Sequence, residues 1–291
     1  MDIGIGLPAT IPGVDGESLL EWARRAERHG FSTLGTIDRL VYPNYDPLIA
    51  LAAAAAVTER IRLTTAILIA PLRPNAVALA KQLASIHHLS GGRLVVGAAP
   101  GGREDDYEVS GIDIHKRGRA FDRQLDEMKR VWAGEEKGYA GPVGPNVDQP
   151  PQLLIGGRAD ASFRRAAEYG DGWIMGGGDP TQFAASAEKV GAAWSAAGRQ
   201  DTPRKASLTY FSLGPDADKN AQWYLGDYYG WLGEEVTAGM AQAAARDEET
   251  VAQRVTLFEE AGCDELILFP CSSDPEQVDL LAQALPVTAR P

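Results

Sequence analysis

Cysteine, histidine and basic charge are all scarce in this 291-residue chain. Two cysteines, Cys263 and Cys271, exclude a disulfide framework and a four-cysteine zinc site. The four histidines, His29, His87, His88 and His115, form no cluster with Asp or Glu at ligand spacing, so no metal site is expected. Lys and Arg total 28 against 40 Asp and Glu, a net charge of −12. Such a surface repels phosphate backbones and anionic lipid, which argues against nucleic-acid and membrane partners. No apolar run reaches the roughly 18 residues of a membrane span. The chain opens directly into Ile3, Ile5 and Leu7, without a basic start or a signal-like core, and a cytoplasmic protein is expected.

What is present is alternation. Short β-like runs at 2–7, 32–37, 61–69, 93–98, 152–155, 172–175, 206–213 and 265–269 are separated by helical stretches. The helical stretches fall near 17–29, 47–58, 76–88, 119–132, 161–169, 182–197, 218–261 and 275–284. Strand–helix alternation implies parallel strands with helical crossovers. Eight such units close into a (β/α)8 barrel of the α/β class, with a doubly wound open sheet as the runner-up. At the first helix, Ser18 and Glu21 have capping-box spacing, and Gly30 is placed for a left-handed stop. At the third, Pro74 is placed where a missing N–H is harmless. Two segments break the repeat, a Gly- and Pro-rich stretch near 134–151 and an aromatic stretch within 218–247. Both read as insertions on a single domain.

In such a barrel the reactive groups stand at the carboxyl ends of the strands. No Lys stands there, which argues against Schiff-base chemistry, and no Gly-x-Ser-x-Gly elbow occurs. Asp38 and Arg39 follow the second strand. Gly156, Gly157 and Arg158 follow the fifth and precede a helix, and Gly176 and Gly177 follow the sixth. Bare N–H groups at a helix start bind phosphate, so these loops are either a phosphate cradle or plain βα turns. The loop from Gly101 to Tyr107, which contains Arg103, either folds over a ligand or is solvated. Trp223, Tyr228 and Trp231 either line a substrate pocket or serve packing, with packing weighted slightly higher. An enzyme so poor in reactive groups has to borrow them, and a phosphorylated organic cofactor would supply them.

Longer motifs sharpen this. Ser90-Gly91-Gly92-Arg93 with Gly97, Gly101 and Gly102 resembles a pattern of the bacterial-luciferase-like family of flavin- or coenzyme F420-dependent oxidoreductases. The stretches from Ala70 to Asn75, from Pro150 to Gly157, and Asp171-Gly172-Trp173 are similar to that family as well. The resemblance covers residues 1–180 closely and the remainder generally.

The resemblance implies a ring in the barrel mouth backed by a bulge with a cis peptide at Ala66-Ile67, and Gly97 is assigned to cofactor binding with it. It places the cofactor phosphate at Gly156-Gly157, with Gly176-Gly177 nearby. It implies first a two-component monooxygenase using reduced FMN on a small organic substrate, supplied by a flavin reductase. The alternatives are an F420-dependent hydride-transfer enzyme served by an F420 reductase, or a cofactor-binding relative without activity. A phosphosugar isomerase or aldolase is disfavoured by the bare strand ends. Relatives often pair, which admits a homodimer. One departure stands out. Many relatives have Asp-His after the second strand, whereas this chain has Asp38-Arg39, and arginine is no base near neutral pH. The pair is assigned to catalysis through stabilisation of an anionic ring or peroxide.

Overall fold

The computed structural model describes residues 1–285. Its elements run β1 (Asp2–Gly6), α1 (Gly16–Arg28), β2 (Thr33–Thr36), α2 (Pro47–Ala55), β3 (Arg62–Ile69), α3 (Ala76–Leu89), β4 (Leu94–Ala99), α4 (Glu104–Val109) and α5 (Arg117–Trp132). They continue with a hairpin of β5 (Glu136–Gly138) and β6 (Gly141–Pro142), then β7 (Gln152–Gly156), α6 (Asp160–Tyr169), β8 (Gly172–Met175) and α7 (Pro180–Ala196). The last third holds β9 (Arg204–Phe211), α8 (Ala217–Tyr228), α9 (Glu234–Ala243), α10 (Glu248–Glu260), β10 (Glu265–Pro270) and α11 (Glu276–Ala284). Eight strands close a parallel barrel in the order β1-β10-β9-β8-β7-β4-β3-β2. This is the (β/α)8 barrel expected from the alternation.

Barrel strands are buried on both faces, so neighbouring side chains enter different cores. Along β10, Leu266 and Leu268 join the layer between barrel and helices. Ile267 and Phe269, between and beyond them, fill the barrel interior with Val95, Leu154, Ile174 and Leu208. Phe269 fits because β1 offers Gly6, where a Cβ would strike its ring.

Three local readings change. The N-cap of α1 is Asp15, which accepts from the Ser18 amide at 2.8 Å and from the Ser18 hydroxyl at 3.0 Å. The capping spacing is therefore realised one turn upstream of Ser18 and Glu21, and Glu21 instead holds Arg25 and Arg28. Gly30 does take a left-handed φ of 76°. Asn75 caps α3 through the Ala78 amide at 3.0 Å, which leaves Pro74 just outside the helix. The helical region at 218–261, where the sequence shows a second helical pattern from Glu248 to Glu260, divides into α8, α9 and α10; Gly233 adopts φ 92° at the start of α9, where a helix cannot continue. The Gly- and Pro-rich 134–151 stretch carries the β5–β6 hairpin.

The Ser90–Arg93 motif is architectural. Gly91 and Gly92 take φ 67° and 88° to turn the chain from α3 into β4. Arg93 then reaches back to the carbonyls of Ser90 (2.7 Å), Ile61 (2.7 Å) and Thr58 (2.9 Å), tying three segments together at the amino end of the barrel.

That end also holds a buried charge cluster. Glu265 is fully buried and accepts from Ser32 (2.8 Å), Arg62 (2.9 Å) and Arg204 (2.9 Å). Conserving this volume while removing the charge tests its role. Glu265→Gln is expected to cost about 2 kcal/mol of stability, in the range of hydrogen bonds to charged groups. Ligand affinity at the opposite end should not change. Denaturant unfolding paired with a binding titration checks both. Among the described residues no helix is long and apolar enough to cross a membrane, and no three His, Cys, Asp or Glu residues are grouped for a metal.

Candidate active site

The carboxyl ends of the strands surround a cleft of about 220 Å³. Its shape begins with an irregularity in β3. The register with β4 shifts between Thr65 and Leu68, and the Ala66–Ile67 peptide inside this bulge is cis. The facing residue on β4 is Gly97, and a Cβ there would strike the Thr65 carbonyl oxygen. Only glycine lets the two backbones approach so closely. Thr65 fastens the bulge by donating its hydroxyl to the Gly97 carbonyl at 2.8 Å.

Ala66, Ile67 and Leu208 give the cleft an apolar floor. Ile37 and Asp38 from the end of β2, and Ala99 to Arg103 from the end of β4, form its sides, with Gly176 opposite. Tyr228, Tyr229 and Trp231 close over it from the end of α8. The Tyr228 and Tyr229 rings meet edge to face at 4.8 Å. The Tyr229 and Tyr210 hydroxyls are hydrogen-bonded at 2.6 Å. Burial pushes both phenols above their ordinary value, so both stay protonated at neutral pH.

Asp38 lines the cleft, but its carboxylate is already engaged. One oxygen accepts from the Ile69 amide (2.9 Å) and from Arg73 (2.6 Å), and the other meets Arg73 at 3.3 Å. Burial lifts its pKa above the ordinary value, and Arg73 and the Ile69 N–H pull against that lift. Asp38 thus fastens the end of β3, where the bulge lies. Arg39 lies behind the aromatic residues. It donates to the Tyr228 carbonyl at 2.5 Å and sits 4.6 Å over the Tyr42 ring.

The cation that lines the cleft is Arg103, only 9% exposed. Its guanidinium stacks 5.0 Å from Tyr228, 5.7 Å from Trp231 and 5.9 Å from Tyr229. Burial works against its charge, yet its pKa is not brought below the ordinary arginine value and the Asp106 carboxylate favours the charge, so it stays protonated. The sequence marks the Gly101–Tyr107 loop as a ligand-covering candidate, yet nothing in it tells which charge turns inward. Tyr210 and Tyr229 are equally hidden, since their meeting depends on α8 folding back over β9.

The glycine loops lie on one side of this mouth. Without a side chain, Gly156 leaves room for Ile67, whose Cδ1 would be 2.7 Å from a Cβ there. Gly157 has φ 121°, and a Cβ would meet the Ser162 hydroxyl. No side chain caps the start of α6 just beyond it. Arg158 bridges to Gln182 on α7 at 2.9 Å. Gly177 and Gly178 line a second hollow of about 290 Å³, which shares Leu208 with the cleft and reaches Arg254. Of the residues singled out from sequence, Asp38, Ala66, Ile67, Gly176, Tyr228 and Trp231 line the cleft itself. Gly97 and Gly156 shape it from behind. Trp223 is 51% exposed on the outside of α8 and stands apart from it.

Comparison with known proteins gives four findings. The family described as luciferase-like monooxygenase matches residues 1–283. An uncharacterized protein of Mycobacterium tuberculosis is 32% identical over 191 residues, which is 55% of this chain and 66% of that protein. Among solved structures, an F420-dependent secondary alcohol dehydrogenase bound to an F420–acetone adduct superposes with a TM-score of 0.82 at 20% identity, covering 100% of this chain and 99% of its own. The monooxygenase RslO1 from Streptomyces bottropensis superposes at 0.75 with 22% identity and 98% coverage of both chains. At these identities the two structural likenesses are likenesses of fold.

Proposed function

The chain belongs to the luciferase-like monooxygenase family, and from that premise we propose that it is an oxidoreductase whose cleft holds the ring of a reduced flavin-type cofactor. The observation that carries this reading is the pairing of an apolar floor at Ala66–Ile67 with an uncapped helix start behind Gly156–Gly157. The residues fit such a group. A flat ring asks for an apolar surface, and a phosphate asks for free backbone N–H groups, which the start of α6 offers beside the Asp160 carboxylate in its first turn. When bound, the ring supplies the two-electron redox chemistry that no side chain in the cleft offers.

The chain's own residues would do the rest. The α6 N-terminus and Arg158 receive the phosphate, with Gly176 and Gly177 beside them. Arg103 holds positive charge at the mouth. The Tyr229 hydroxyl, backed by that of Tyr210, is a protonated donor for a substrate oxygen. Tyr228, Tyr229 and Trp231 exclude water from above.

Between the two rings, the reading favours coenzyme F420 and hydride transfer. Its support is the full-length likeness to an F420-dependent alcohol dehydrogenase, together with a hydroxyl pair suited to protonating a carbonyl oxygen. The likeness to RslO1 and the family description favour the second reading, a reduced-FMN monooxygenase supplied by a separate reductase. Titrating the purified protein with each cofactor tests the proposal, and tight binding of neither would sink it. Oxygen uptake by the loaded protein would select FMN.

Trp231 is half-exposed over the cleft, on the side of Arg103. Trp231→Ala is therefore expected to weaken substrate affinity about tenfold, with less than a twofold effect on cofactor affinity. Equal losses in both would show that the residue holds the site together.

A further inference from the structure

We propose that the substrate of this cleft carries a carboxylate and that Arg103 is the residue selecting it. The inference rests on the reading of the cleft as a redox site and adds the chemical class of what reacts there. Arg103 follows Gly101 and Gly102 at the end of β4 and lines the cleft while remaining 9% exposed. Its donors are mostly unused. One Nη donates to the Asp38 carbonyl at 3.1 Å, and Nε is buried with no partner. Asp106 is ion-paired with it at 3.8 Å, beyond hydrogen-bond reach; one Asp106 oxygen accepts from the Leu40 and Val41 amides, and the one facing Arg103 is buried without a hydrogen-bond partner. Buried donors without acceptors are costly, and natural sites rarely keep them idle.

Asp38 and Asp105 do not supply what is missing, and Asp106 balances the charge without a hydrogen bond. Asp38 is occupied by Arg73, and Asp105 lies toward Arg39 at 3.8 Å. The remaining surroundings are Tyr228, Tyr229 and Trp231, whose rings lie against the guanidinium and accept no hydrogen bond from it. A planar carboxylate matches an arginine fork in shape and charge, better than an alcohol or amide does. In a chain of net charge −12, an arginine kept at the mouth in this way makes a local attraction that the surface as a whole opposes.

The test uses benzoate and benzamide, a pair matched in size and differing in charge, titrated against the protein loaded with whichever cofactor it binds and followed by tryptophan fluorescence. Benzoate is expected to bind at least about tenfold more tightly than benzamide. Arg103→Gln should abolish that preference, and Arg103→Lys should restore part of it. Equal affinities in the wild-type protein would overturn the proposal even if neither variant folds. A preference that survives Arg103→Gln would overturn it as well. If Arg103→Gln loses cofactor affinity while the wild type shows no benzoate preference, Arg103 serves the ring and the proposal fails, but the cofactor reading stands. If the wild type binds neither cofactor, the cofactor reading fails. The benzoate comparison on the bare protein then decides the carboxylate assignment by itself.

Discussion

Gly157→Asp is expected to abolish cofactor binding, with a loss of at least a hundredfold, while the barrel stays folded. Two effects add. Gly157 holds φ 121°, a conformation that L side chains rarely adopt, and a Cβ there meets the Ser162 hydroxyl. This backbone strain costs about 1–2 kcal/mol. The larger effect is charge. A carboxylate placed about 4 Å from a bound phosphate is opposed by roughly 4 kcal/mol at an effective dielectric near 20. It would also compete for the N–H groups at the start of α6, which no side chain now caps. Gly157→Ala separates the two effects, since it keeps the strain and omits the charge. It should weaken binding about tenfold. Cofactor titrations of both variants, with thermal melting to confirm folding, give the comparison. Unchanged affinity in Gly157→Asp would remove this loop from the site and take the phosphate assignment with it.

Much of the fold is legible because it follows from local rules. Each barrel strand is a short apolar run and each helix a longer one, and chain order alone closes eight parallel units. The glycine loops are legible for the same reason, since a bare residue after a strand has few explanations. The charged side chains are harder. Asp38 and Arg39 are adjacent in sequence, yet one reaches Arg73 and Ile69 at the cleft wall while the other turns to Tyr42 and the Tyr228 carbonyl. Their partners lie between 3 and 189 residues away, and no spacing rule joins them. Arg103 is harder still, because its three ring contacts all come from the end of α8 and the turn after it. Gly226 and Gly230 mark an interruption in that stretch, but nothing in the spacing tells that the Gly230–Gly233 turn brings those rings over the mouth. Conversely, the motif that is plainest in sequence, Ser90–Arg93, lies at the amino end and fastens the frame.

Arg73→Met is expected to cost about 3–5 kcal/mol of stability, because it removes the partner of a buried acid and keeps the acid. Asp38 is 4% exposed, and Arg73 makes both of its charged contacts. The other carboxylate on Arg73, Asp46 at 2.9 Å, is largely exposed and loses little. The pH dependence follows from the sign of the Asp38 shift. Burial already lifts its folded-state pKa, and losing Arg73 removes the main force pulling it down. A folded pKa above the unfolded value means that the native state binds the extra proton, so stability falls as pH rises from about 4 through the raised value. Unfolding curves of Arg73→Met should therefore show a penalty that is smaller at pH 5 than at pH 8. Adding Asp38→Asn should recover part of the loss and flatten the pH dependence, since an amide can still accept from the Ile69 N–H. Cofactor affinity should fall in the single variant too, because the Asp38–Ile69 bond anchors the strand end that carries Ala66 and Ile67. A pH-independent penalty would mean that Asp38 is already protonated beside Arg73, and that shape in place of charge holds the floor of the cleft.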